Sequence, residues 1–169
     1  MTAASKLAAS EFSIWFWNAN SLSFSKFHQY ARLLQSSFSA LVGFACETKH
    51  SPDSQPNSPN QLVPRGYDVI RQPFVKGSGG LLAFVRRSPS LLFRRRPDLS
   101  LSPHCLVILA RLPGMTTDCL LACGYRWPQM ETADWNLMLD TIRLTSKQKL
   151  PVFWFGDWNA RSQHFGDTV

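Results

Sequence analysis

The apolar residues of this chain come in short runs, each closed by a turn or by a single polar side chain. That punctuation confines the chain to a mixed α/β fold. Phe12–Trp17 (FSIWFW), Leu41–Cys46 (LVGFAC), Tyr67–Arg71, Gly79–Arg86 (GGLLAFVR), Cys105–Leu112, Asp118–Tyr125 and Val152–Phe155 (VFWF) all have strand length and composition. Two other segments have helical spacing. Phe27, Tyr30, Ala31, Leu34 and Phe38 recur at intervals of three and four. Trp135, Met138, Leu139 and Ile142 do the same within roughly Glu131–Lys147. Glu131 and Asp134 at the start of the second stretch suit a helix dipole. Pro113-Gly114 is a turn dipeptide, so the runs it joins read as a hairpin. Strands in hairpins, with two helices, predict antiparallel sheets rather than a nucleotide-binding parallel sheet.

A length of 169 residues favours one domain. Hydrophobic residues make up 44% and charged residues 17%, so core material is plentiful and a disordered tail is excluded. No apolar run reaches the roughly 18 residues of a membrane span. The run at Phe12–Trp17 is too short for a signal-peptide core. Cys46, Cys105, Cys119 and Cys123 have no zinc spacing and sit in apolar runs. They read as buried free thiols, which suits an intracellular, reducing compartment. Ser51–Pro64 (SPDSQPNSPNQLVP) reads as an insertion loop.

Charge is asymmetric: 18 basic residues against 11 acidic, a net +7. Twelve of the basic residues are Arg, whose guanidinium fork matches phosphate. Five of them, Arg86, Arg87, Arg94, Arg95 and Arg96, fall within eleven residues. This cluster predicts a sequence-independent contact with a DNA backbone, with a solvated loop between strands as the alternative.

Eleven acids can be enumerated. Asp53, Asp68, Asp98, Asp118, Glu131, Asp134 and Asp140 fall in loops or on helix faces and read as solvated charges. Glu11 and Asp167 are uninformative. Glu47 directly follows Leu41–Cys46, and Asp157 follows Val152–Phe155 after one glycine. A carboxylate at the end of a buried strand is well placed to point into a site. Asn18 and Asn20 follow the first strand, and Asn159 lies two residues past Asp157. Residues two apart on an extended chain point the same way. Such a pair can orient a water and bind a phosphate oxygen, beside a Mg²⁺ that needs only one or two carboxylates.

In chain order, four blocks resemble the endonuclease/exonuclease/phosphatase superfamily: Trp17-Asn18-Ala19-Asn20-Ser21-Leu22, Glu47-Thr48-Lys49, Gly124-Tyr125 with Pro128, and Gly156-Asp157-Trp158-Asn159-Ala160. A closer match is the endonuclease domain of non-long-terminal-repeat (LINE-type) retrotransposons. It is carried by Gly66–Arg71 followed by Gly79–Val85, by Tyr125-Arg126-Trp127-Pro128, and by Asn159-Ala160-Arg161 through Phe165-Gly166-Asp167. Trp127 replaces a proline there, and Phe165 stands where a tryptophan is usual. The resemblance spans about residues 12 to 167.

The resemblance implies a four-layer α/β/β/α sandwich with mostly antiparallel sheets. It implies that Glu47 holds Mg²⁺ (or Mn²⁺) with Asn18 beside it. Asp157 would orient or deprotonate the attacking water, Asn159 would bind the scissile phosphate, and Tyr125 would contact it or assist the leaving group. Asn20 occupies a position that is acidic in some relatives, and His164 reads as surface. The implied partner is DNA, with no membrane and no obligate protein partner. The nucleus is the expected place of action on chromosomal DNA. The family closes on a Ser-Asp-His motif, and no such tripeptide occurs in this sequence. The expected organisation is therefore an N-terminal extension (1–11) and an incomplete domain (12–169) without its last strands, with weakened or absent nicking. The alternatives are a non-catalytic retroelement remnant that binds nucleic acid through its Arg cluster, and a phosphatase of the same fold.

Overall fold

A computed structural model describes residues 12–36, 40–49, 63–72 and 79–159. The N-terminal extension, most of the Ser51–Pro64 loop, Phe38, His164 and the Phe165-Gly166-Asp167 block lie outside the described residues. The order is β1 (Ser13–Asn18), α1 (Phe24–Ser36), β2 (Ala40–Cys46), β3 (Tyr67–Gln72), β4 (Leu81–Arg86), β5 (Leu92–Arg95), β6 (Cys105–Arg111), β7 (Cys119–Tyr125), α2 (Thr132–Ser146) and β8 (Val152–Asp157).

The strands form two four-stranded sheets, ordered β1-β2-β4-β3 and β5-β6-β7-β8. Four neighbouring pairs run antiparallel, including β6 and β7 across Pro113-Gly114. The two helical connections bring the chain back parallel, pairing β1 with β2 and β7 with β8. A parallel partner requires a crossover of this kind. The expectation of mostly antiparallel sheets holds, and the parallel pairs coincide with the two helices.

Alternation within the apolar runs is masked because both faces of each sheet are covered. Val42, Phe44, Leu81, Ala83 and Val85 meet Leu106, Ile108, Leu121 and Cys123 between the sheets. The intervening residues face outward to a helix. Ala45, Leu82 and Phe84 pack against Phe27, Tyr30, Ala31 and Leu34 of α1. On the far side Val107, Leu120 and Ala122 form a cluster with Leu99, against which Leu144 of α2 packs. The layers are thus helix, sheet, sheet, helix. Ser23 starts α1: its Oγ accepts the Lys26 N–H and its carbonyl accepts the Phe27 N–H. Helix α1 sits close on β2 because Gly43 has no side chain. A Cβ there would lie 2.5 Å from Leu34 Cδ2.

Two sequence expectations are corrected. Strand β5 forms inside the stretch read as an Arg-rich loop. Helix α2 buries Met138, Thr141 and Thr145 fully, while Trp135, Leu139 and Ile142 are only half-buried. Its face is therefore rotated toward two threonines, whose hydroxyls bond back to Leu137, Thr141 and Ile142 carbonyls. Glu131 takes the N-cap position without a side-chain capping bond. The four cysteines are buried and free, as expected.

Candidate active site

The two parallel pairs place four strand C-termini together. Asn18 ends β1, Glu47 directly follows β2, Tyr125 ends β7 and Asp157 ends β8. Registers align Asn18 with Cys46 and Tyr125 with Asp157. One hydrogen bond joins the halves: Asn18 Nδ2 donates to Asp157 Oδ2 at 2.7 Å, between residues 139 apart in sequence. The other Asp157 oxygen, Oδ1, accepts the Asn159 N–H at 3.1 Å. Both oxygens are therefore held by neutral donors, which fixes the carboxylate plane. Asn18 is itself oriented, because its Oδ1 accepts the Asn20 N–H at 2.9 Å.

Glu47 stands near this group beside Tyr125, close enough that its charge acts on the Tyr125 hydroxyl. Tyr125 is only 3% exposed. Burial pushes its ionisation well above the usual phenol value, and the neighbouring Glu47 and Asp157 charges push it further. The hydroxyl is thus kept neutral beside Glu47. Lys49, within the same Glu47-Thr48-Lys49 block, sets its Nζ 3.4 Å from Glu47 Oε1.

The loops carrying these groups are locked to one another. Ala19, Ser21 and Leu22 N–H groups donate to Cys46, Glu47 and Thr48 carbonyls, and Thr48 and Lys49 donate to Gly80 and Gly79. Lys26 Nζ gathers the Ala19, Asn20 and Ser21 carbonyls within 3.2 Å. Among the described residues, the non-glycine positions with left-handed φ are Asn20, Ser21, Glu47, Lys49 and Asn159. All lie in the three loops of this site. Such backbone costs about 1–3 kcal/mol per residue and persists where surroundings over-determine it, commonly at functional sites.

On the sheet of β7 and β8, Gly124 faces Gly156. A Cβ on Gly156 would fall 2.3 Å from the Gly124 carbonyl oxygen, and one on Gly124 would fall 2.7 Å from Trp158 Cη2. The Trp158 ring lies over Gly124 and helps turn the chain between Asp157 and Asn159. Arg126, which sequence reasoning left without a role, surrounds that turn. Its N–H donates to Asp157 C=O at 3.0 Å, and its own C=O accepts Asn159 Nδ2.

The Arg cluster does not gather at this site. Strand β4 begins beside the Glu47 loop and ends at Arg86, roughly 17 Å away at strand spacing. Arg86 and Arg87 are therefore at the opposite end of the sheet. There Arg87 is paired with Asp68 at 2.7 Å. Arg94 is exposed on β5, Arg95 bonds Gln72 between the sheet edges, and Arg96 forms a two-pronged contact with Asp98.

The arrangement can be compared with solved structures. The endonuclease domain of TRAS1, a telomere-specific non-LTR retrotransposon, superposes with a TM-score of 0.58 at 14% identity, over 90% of this chain and 61% of that one. The chain has the endonuclease/exonuclease/phosphatase fold. Two structures of NExo share this fold. The Neisseria 3′ phosphatase bound to a product DNA hairpin matches at TM-score 0.56 and 19% identity, over 85% of this chain and 56% of that one. The 3′-5′ exonuclease from Neisseria meningitidis matches at TM-score 0.56 and 21% identity, with the same coverage. The chain thus spans less than two thirds of the length of these structures. No protein-family model and no curated protein sequence matches it. No helix among the described residues is long and apolar enough to cross a membrane.

Proposed function

We propose that this chain is a Mg²⁺-dependent DNA phosphodiesterase that nicks one strand. The observation that carries the reading is the Asn18–Asp157–Asn159 group bonded across two sheets, with Glu47 at the neighbouring strand end. The donors there are all oxygen. Among the described residues no cage of three or more His, Cys, Asp or Glu forms. Such a set suits Mg²⁺, which takes one or two carboxylates and keeps waters and substrate oxygens. Glu47 would hold the ion with Asn18 beside it, and Mn²⁺ would substitute. Once bound, it would stabilise charge on the phosphoryl oxygens.

The protein's own groups account for the rest. Asp157, fixed by Asn18 and Asn159, orients the attacking water and accepts its proton. Asn159 uses one Nδ2–H on Arg126 and keeps the other for a phosphate oxygen. Tyr125, buried and kept neutral, fits a supporting role better than leaving-group ionisation. The fold relatives act on DNA as an endonuclease domain and as a 3′ phosphatase or exonuclease, which supports DNA as the substrate class. The NExo structures favour a second reading, removal of 3′ phosphate or nucleotides by the same groups.

The test is supercoiled-plasmid nicking with Mg²⁺ or EDTA, with Glu47→Ala and Asp157→Ala alongside. Each substitution, and EDTA, is expected to reduce nicking at least 10²-fold. Nicking that survives them would overturn the site assignment. A 3′-phosphorylated, end-labelled duplex separates the second reading, because it loses phosphate without an internal cut.

A further inference from the structure

Arg126 touches the Asp157–Asn159 turn with both its backbone and its side chain. Its backbone N–H and C=O bond Asp157 C=O and Asn159 Nδ2. Its side chain turns back, so that Nη1 donates to Asn159 C=O at 3.0 Å and to Trp158 C=O at 3.4 Å. The guanidinium carbon lies 5.1 Å from the centre of the Trp135 ring on α2, a cation–π distance. Nε is buried and has no partner among the described residues. A guanidinium that leaves a donor unpaired to reach two carbonyls is held there by those carbonyls and the ring.

Asn159 is the residue this arrangement serves. It has left-handed backbone, φ 42°, and its side chain must present an N–H to substrate. Nothing else among the contacts of this turn grips both the carbonyl and the carboxamide of Asn159. We propose that Arg126 is a positioning residue: it clamps the Trp158–Asn159 turn and thereby sets the orientation of the Asn159 carboxamide, with Trp135 bracing it from α2. The catalytic part of this inference rests on Asn159 acting as the phosphate ligand. The clamp itself does not.

Two measurements on the folded chain decide it. The first follows Asn159 amide signals in a ¹H–¹⁵N spectrum, assigned by their loss in Asn159→Ala. Arg126→Met keeps the apolar stem and removes the fork. It is expected to shift both the backbone and the side-chain Asn159 signals and speed their solvent exchange, while signals from β2 and β6 stay in place. The second is a cycle of nicking rates. Arg126→Met is expected to slow nicking about 10- to 100-fold, the scale of a small misplacement of a reacting group. In the Asn159→Ala background it is expected to cost nothing further. Arg126→Lys restores charge but not the fork, and is expected to stay slow. Recovery by lysine would mean a simple charge contact with DNA and would overturn the clamp. So would effects that multiply with Asn159→Ala, or unmoved Asn159 signals in folded Arg126→Met. If the unsubstituted chain does not nick, the proposed function fails, and the amide signals alone decide the clamp.

Discussion

All three tyrosines of the chain, Tyr30, Tyr67 and Tyr125, are buried. Burial pushes each phenol above its ordinary value of 10.0. Tyr30 donates to Phe44 C=O, and the Tyr67 hydroxyl sits 2.9 Å from the Leu34 and Ala40 carbonyls. The buried thiols are shifted upward from 9.0 in the same way, Cys105 to about 12. The sign follows. Between the unfolded and folded values the unfolded chain has lost protons that the native state keeps, so stability falls as pH rises. Unfolding free energy from these groups should be flat below about pH 8 and decline above it. Phenolate absorbance should appear together with unfolding. A tyrosine that titrates near pH 10 while circular dichroism stays native would contradict this. At this scale the sequence was partly legible. Asn18, Glu47, Asp157 and Asn159 stand out as polar residues ending apolar strands. Arg126 does not, because its role depends on the backbone carbonyls of residues 32 and 33 positions away, which no residue type announces.

Among the elements, the β7–β8 pair is held to its register by two small residues. Gly156→Ala would drive a methyl group into the Gly124 carbonyl. The strands cannot yield without disturbing Tyr125 and Asp157 one position on. Overpacking of this kind costs about 1–3 kcal/mol, so urea unfolding should show a loss of that size. Strands that were long, apolar and bounded by turns were legible. Strand β5 was not, because Leu92–Arg95 is four residues long and half arginine. Its alternation of exposed and half-buried positions is too brief to register as a period. The rotated face of α2 escaped for a different reason: Thr141 and Thr145 satisfy their own hydroxyls within or beside the helix and can therefore be buried like apolar residues.

At the scale of the molecule, the four sheet edges formed by the described residues are unequal. Strands β3 and β5 carry Asp68 and Arg71, and Arg94 and Arg95. Charges of this kind discourage strand addition. Strands β1 (SIWFWN) and β8 (VFWFGD) lie at the other edges, with Asp157 as their one charge, and Phe153 is 44% exposed. Those two edges should dominate self-association. Phe153→Lys is expected to lower concentration-dependent light scattering without changing the thermal midpoint by more than a few degrees. Scattering that is unchanged would place the sticky surface elsewhere. The spread of the five arginines also belongs to this scale. Closeness in sequence suggested five free charges, but Arg87 and Arg96 are each paired with an aspartate and Arg95 bonds Gln72.

The bond from Asn18 to Asp157 spans a seam filled mostly by hydrocarbon, with the Arg95–Gln72 contact a second polar tie at the sheet edges, and hydrocarbon resists sliding far less than it resists separation. The site is therefore a gauge of alignment between two plates. A shear of an ångström or two would disarm it while every helix and strand kept its shape. Mild pressure or a core substitution far from Asp157 would then break the Asn18–Asp157 bond, and with it the proposed nicking, well before spectroscopy recorded any loss of structure.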